Sequence, residues 1–322
     1  MDKRVDIIIP VYNTEAVLLR KAFDSVFEQT YSNISIIVID DGSTSKQTLD
    51  VINEYKQKIK IIRQKNQGVS SARNKGLSIS NGDYVFFLDS DDEISPNYIE
   101  KLVKTAKEKK ADIVFSGKTD PNTGAVDSPI TNSWIDLSRD INVISLKNQA
   151  FTSSAVLVDG AIARKHQFNT GLAMGEDTVY ILEVMKGAES FYEGSGGYYY
   201  NKHQNNSSSC RSVKSMMKYL DDSMVMAEIL KNEYGASEDT VRIFCNKKIS
   251  TIFSNGIKHK DIRNAVLCIK NSDIYKNRDR IKNHTIIKEK NLSFKNKIIQ
   301  LIVNNLGVDI LYYLTGARRT EK

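Results

Sequence analysis

The feature that most constrains the fold is an alternation within the first 117 residues, where short continuous apolar runs are separated by stretches of helical spacing. Runs at 5–9, 34–39, 59–62, 84–88 and 112–116 read as strands. Stretches 15–29, 44–55, 69–79 and 96–109 read as helices, with Val17, Leu18, Ala22 and Val26 marking one face of the first. Strands that are apolar without alternation are buried on both faces, and the helices between them supply the cover. The pattern therefore predicts an α/β fold with a Rossmann-like, mostly parallel central sheet flanked by helices. In such sheets ligands bind beyond the carboxyl ends of the strands, so the strand-end loops are where chemistry is expected.

Residues 118–150 interrupt the alternation, with Pro121, Gly124 and Pro129 around the only tryptophan, Trp134. Regular patterns return at 155–158, 177–186 and 197–201, and from 212 onward the spacing is helical almost throughout. A boundary is expected near residue 211. Charge divides at the same place: residues 211–322 carry 22 Lys and Arg against 12 Asp and Glu, the first 210 residues 24 against 27. A basic C-terminal half implies an anionic partner. The basic residues are not interleaved with stacking aromatics, so a nucleic-acid partner is not expected. No apolar run reaches the ~18 residues of a membrane-spanning helix, and the apolar stretch after Met1 stops at Pro10, too short for a signal peptide. Cys210, Cys245 and Cys268 are odd in number and lack CxxC spacing, which argues against a disulfide framework or zinc site. Together these lead to the expectation of a cytoplasmic protein.

Three strand-like runs end in polar clusters: Pro10-Val11-Tyr12-Asn13, Asp40-Asp41-Gly42-Ser43 and Asp89-Ser90-Asp91-Asp92. Asp-Gly-Ser alone is a common turn. Three aspartates in four residues are different, because they repel one another unless a cation or hydrogen-bond donors intervene. An Asp-x-Asp pair can grip a divalent cation and leave positions for phosphate oxygens and water. A second acidic pair, Glu176-Asp177, follows Gly175 at a helix entrance, where it either complements the helix dipole or supplies a general base.

The strings IIIPVYN, VIDDGSTS, NQGVSSARNKGL, DYVFFLDSDD and GEDTVYILEVM, in that order over residues 5–205, resemble the inverting glycosyltransferases of family 2, which have the GT-A fold. The resemblance implies a catalytic domain over 1–211, with nucleotide-sugar binding in 1–117 and an acceptor-side half in 118–211. A helical C-terminal domain would follow over 212–322. It implies a donor site of Pro10, Tyr12, Asn13, Asp41, Asn66, Arg73, Asp89 and Ser90. Tyr12 would lie against the base and Asp41 would accept from it, with Asp40 supporting the turn. Arg73 and Asn74 would lie beside the nucleotide and sugar, and Asp89 on the ribose. Asp91, with His203 as a further candidate, would hold Mn2+ or Mg2+. Asp177 would be the base and Glu176 would contact sugar or acceptor hydroxyls. A carboxylate suits the N3–H of uracil, a donor that cytosine lacks, so a uridine or thymidine donor is expected, a UDP-sugar or similar nucleotide sugar. A glycan or lipid-linked glycan in surface-polysaccharide assembly is the expected acceptor. Relatives often have an arginine after the tyrosines of 198–200, where this chain has Asn201 followed by Lys202.

A non-catalytic nucleotide-sugar-binding partner is the alternative of another class, although such a module need not keep a base. A nucleotidyltransferase would need a Gly-rich phosphate loop after the first strand, and PVYNTEAV is not one. Near the C-terminus Ile299, Ile302, Val303, Leu306, Ile310 and Tyr313 fall on one helical face between basic flanks. The segment 291–322 is therefore expected either to lie on an anionic membrane surface or to pack, including in a homo-oligomer.

Overall fold

The structure is a computed structural model. It describes residues 2–127, 132–138, 140–141, 152–172, 174–201 and 212–238, and positions 240, 241, 244, 245, 248, 252, 268 and 269. The tail 291–322 lies outside the described residues. In chain order the elements begin β1 (Val5–Val11), α1 (Ala16–Phe27), β2 (Ile34–Asp40), α2 (Lys46–Tyr55), β3 (Lys60–Arg63), α3 (Val69–Ile79) and β4 (Tyr84–Phe87). They continue with β5 (Glu93–Ile94), α4 (Tyr98–Lys109), β6 (Ile113–Phe115), β7 (Lys118–Thr119), β8 (Val126–Asp127) and β9 (Ser133–Ile135). The last are β10 (Val156–Asp159), α5 (Gly160–Ala163), α6 (Glu176–Met185), β11 (Ser190–Tyr192), β12 (Tyr198–Tyr199) and α7 (Val213–Asn232).

The main sheet has the order β3-β2-β1-β4-β10-β6-β11-β9. From β3 to β4 every pairing is parallel, as the continuous apolar runs predict. Beyond β4 the sheet is mixed: β10 runs antiparallel to both β4 and β6, and β9 antiparallel to β11. A four-residue apolar run carries no direction, so periodicity could not report this. A second, small sheet, β5-β12-β7-β8, has two-residue strands too short to leave a pattern.

All seven residues of β1 are buried, and Ile7, Ile9, Phe23, Val38, Phe86 and Leu102 belong to one core cluster. On the other face α3 lies very close to β1. A Cβ on Gly76 would stand 2.4 Å from Ile8 Cγ2, so only glycine allows this approach. Arg73, one helical turn earlier, shares that buried face, which carries a charged residue to the carboxyl end of the central strands, beside Asp89 after β4.

Contacts divide the chain into two compact units. One spans Met1–Asp140, Lys147–Gly171 and Glu176–Lys202; the other spans Ile141–Leu146, Leu172–Gly175 and His203–Lys322. In the second, α7 opens on a capping box in which Ser212 Oγ accepts from Ser215 N at 3.1 Å and Ser215 Oγ accepts from Ser212 N at 3.0 Å. Met216, Tyr219, Leu220, Met226, Ala227 and Leu230 form its buried stripe. Met174 N donates to Asp222 on the same helix at 3.1 Å.

Candidate active site

The loops that follow β1, β2 and β4 are stapled to one another by short polar side chains. Asn13, in the left-handed region at φ +49°, turns its amide toward the second loop, a conformation asparagine tolerates better than most residues. Its Oδ1 accepts from Thr44 N at 2.7 Å and Ser45 N at 2.8 Å, and its own N–H donates to Ser43 Oγ at 3.1 Å. Thr14 Oγ1 lies 2.7 Å from Ser90 Oγ, joining the first loop to the one after β4. Asp40 Oδ1 accepts from Ser43 N at 2.8 Å, closing the turn, while Asp40 Oδ2 accepts from Arg63 at 2.8 Å.

Asp41 is almost fully buried, and its carboxylate serves the loop that leads into α3. Oδ1 accepts from Gln64 Nε2 at 2.8 Å and Gln67 N at 2.9 Å, and Oδ2 from Gly68 N at 2.8 Å. A carboxylate has about four acceptor positions, so roughly one is left for a ligand. Gly42 beside it has φ +76°, and a Cβ there would stand 2.8 Å from Asn66 N.

Arg73 joins two acidic groups that are far apart in sequence. Nη2 donates to Asp89 Oδ1 at 2.9 Å and Nη1 to Glu176 Oε1 at 3.1 Å. Burial disfavours its charge, but Asp89, Glu176 and Asp177 outweigh burial and hold the guanidinium above its ordinary range. Glu176 is pushed up to about 7, first by burial and then by Asp177, with Arg73 acting against both. Asp177 is half-buried, and its Oδ1 accepts from Thr178 N at 2.7 Å. Two carboxyls at the start of one helix thus have different surroundings, the arrangement that separates acid–base roles.

The aspartate run after β4 also divides. Asp92 is buried, accepts from Tyr198 OH at 2.8 Å and from Asn201 N at 2.9 Å, and is pushed up to about 8 by burial and by Asp89 and Asp91. It anchors the β12 segment. Asp91 is half-buried, and its backbone carbonyl accepts from Asn201 Nδ2 at 2.9 Å. Among the described residues no group of three or more His, Cys, Asp or Glu side chains is arranged to hold a metal. Asp89 Oδ1 is taken by Arg73, while Asp91, two residues on, is half-buried. Mg2+ and similar hard ions take one or two carboxylates and complete their shell with phosphate oxygens and water.

Of the other expected residues, Pro10 is buried in β1, Tyr12 is 50% exposed and Asn66 is exposed with Oδ1 3.3 Å from Gly68 N. The exposed Tyr12 ring is not a core aromatic. Asn74 spends its amide on Phe168, donating to its carbonyl at 2.9 Å and accepting from its N–H at 2.7 Å. His203, Lys202 and Arg211 lie outside the described residues. Asp92 and Tyr198 belong to the acidic run 89–92 and the tyrosines of 198–200 that the sequence makes prominent, but their pairing with each other is visible only in the fold. Thr14, Gln64 and Phe168 carry no signal of their own in the sequence.

Residues 6–157 match the model of the family described as Glycosyl transferase family 2. Glycosyltransferase GlyA of Streptococcus pneumoniae is 46% identical over 115 residues, 35% of this chain and 16% of that protein. The poly(ribitol-phosphate) beta-glucosyltransferase of Bacillus spizizenii is 30% identical over 249 residues, 74% of this chain and 36% of that protein. The matched stretches thus span well under half of either relative. Among solved structures, S. aureus TarS 1-349 in complex with UDP-GlcNAc superposes with a TM-score of 0.63 at 19% identity, covering 97% of this chain and 92% of that one. The chain has the GT-A fold, and its segment 6–157, which carries the strand-end loops, belongs to glycosyltransferase family 2.

Proposed function

We infer that the protein transfers a glycosyl group from a UDP-sugar to an acceptor hydroxyl, with inversion at the anomeric carbon. One observation carries this reading: the acidic run after β4 and the acidic pair opening α6 face a common buried guanidinium. One-step displacement needs a donor-side group that manages diphosphate charge and a separate acceptor-side base, and the two carboxylate sets match that division. The exposed ring of Tyr12 offers a stacking face for a base. The remaining acceptor position of Asp41 suits the N3–H of uracil. Asp177 is the acceptor-side base, and Glu176 contacts sugar or acceptor hydroxyls. Asp91, beside Asp89, would hold Mn2+ or Mg2+, which when bound offsets the charge that develops on the leaving diphosphate.

The acceptor is a glycan or lipid-linked glycan of a surface polymer, supported by the poly(ribitol-phosphate) glucosyltransferase relative. Among the described residues no helix is long and apolar enough to cross a membrane. The deciding experiment is a panel of UDP-, GDP- and dTDP-sugars with and without Mn2+, read by release of the nucleoside diphosphate and by thermal stabilisation. Metal-dependent release of UDP is expected. Tight binding of a nucleotide sugar without release or transfer under any condition would replace the enzyme reading with the binding-partner one.

A further inference from the structure

The motif resemblance puts Arg73 on the donor side, but its hydrogen bonds show a different commitment. Both terminal nitrogens are engaged by carboxylates of the chain itself, Asp89 at 2.9 Å and Glu176 at 3.1 Å. Its Nε is buried without a hydrogen-bond partner among the described residues, so the planar fork is oriented by these two carboxylates rather than by maximal pairing. The guanidinium carbon lies 5.3 Å from the centroid of the Phe168 ring. That ring stacks on Tyr180 of α6 with centroids 4.0 Å apart. The next residue of α3, Asn74, grips the Phe168 backbone through both its donor and its acceptor. Two consecutive residues of α3 therefore hold the first turn of α6 and the segment packed on that helix. Gly76 in turn sets α3 against β1.

Resting on the transferase reading above, we propose that Arg73 is a positioning residue that orients Glu176, and with it the α6 turn carrying Asp177, relative to Asp89. It does this instead of binding the nucleotide sugar. A lysine ammonium carries similar charge but lacks the planar fork, so it cannot reproduce both bonds in one geometry. Misplacement of reacting groups by about 1 Å costs on the order of 10²-fold in rate.

The test compares wild type, Arg73→Lys, Glu176→Gln and the double variant. It measures UDP affinity by calorimetry, kcat and KM for release of UDP from a UDP-sugar, and melting temperature. Arg73→Lys is expected to lower kcat by ~10²-fold while UDP affinity and donor KM stay within about threefold. Glu176→Gln, which keeps an oxygen for Nη1, should lower kcat by a smaller factor. The double variant should be little worse than Arg73→Lys, because both changes act on one bridge that Arg73→Lys has already broken. A purely structural arginine would lower the melting temperature without this coupling in kcat, and that result overturns the proposal. So does loss of UDP affinity in Arg73→Lys with kcat retained. If Arg73→Lys does not fold, Glu176→Gln decides: a fall in kcat smaller than that of Asp177→Asn, at unchanged UDP affinity, supports positioning, whereas an unchanged kcat or a loss as large as that of Asp177→Asn overturns it. A wild type that binds no nucleotide sugar overturns the transferase reading itself, before any variant is compared.

Discussion

Asp41 offers the sharpest separation between a carboxylate that holds a loop and one that holds a ligand. In Asp41→Asn the side chain keeps its shape but loses one acceptor oxygen. If the remaining oxygen stays on Gln64 Nε2 and Gln67 N, the new NH2 faces Gly68 N–H, donor against donor. A buried group left unsatisfied costs about 1–3 kcal/mol, and two bonds weakened from charged to neutral add about 1 kcal/mol each. Asn66 Oδ1, 3.3 Å from Gly68 N, recovers part of this loss. The net destabilisation is then about 2–3 kcal/mol. For a folded unit of this size that lowers the melting temperature by roughly 5–10 °C. Scanning calorimetry checked against urea unfolding should show the drop, with weaker UDP binding as a second effect of the loosened loop. Should Asp41→Asn melt within about 1 °C of wild type while UDP affinity falls tenfold or more, the loop-anchoring argument is wrong. The carboxylate would then act chiefly on the base.

Asp177→Asn is expected to keep UDP affinity and to lower turnover by ~10²-fold or more; if Glu176→Gln is the inactive variant instead, the two roles exchange. Asp91→Ala should abolish transfer and remove any Mn2+-dependent tightening of UDP, which calorimetry with and without chelator will show. Normal transfer by that variant in chelator would refute the metal role. Glu176 also predicts a pH effect on stability. Its carboxyl is raised from about 4.5 in the unfolded chain to about 7 in the fold, so its contribution is complete below about 4.5 and is lost as pH rises through about 7. Glu176→Gln should therefore flatten the decline in melting temperature between about pH 5 and 8, and an unchanged slope would count against that burial-driven shift.

What the sequence determined alone is local and periodic. Continuous apolar runs define β1, β2, β4 and β6 because burial on both faces of a sheet leaves no polar alternation, while β3, Lys-Ile-Ile-Arg at the sheet's edge, shows only a short apolar pair. The spacing of 69–79 reproduces α3, since a 3.6-residue repeat is written in consecutive side chains. The acidic run 89–92 and the pair 176–177 were visible for the same reason, as like charges cannot be crowded without purpose. Their partners were not visible. Arg73 meets Glu176 across 103 positions, and Tyr198 meets Asp92 across 106. No local pattern encodes a contact made only after the sheet has formed. The antiparallel direction of β10 belongs to the same class, because a four-residue apolar run pairs equally well either way. Tertiary structure also divided three neighbouring aspartates among distinct tasks. Asp89 takes a guanidinium, Asp92 takes a tyrosine hydroxyl and a backbone amide, and Asp91 stays half-buried between them. Burial and hydrogen-bond donors set what a carboxylate does, and both are properties of the folded neighbourhood.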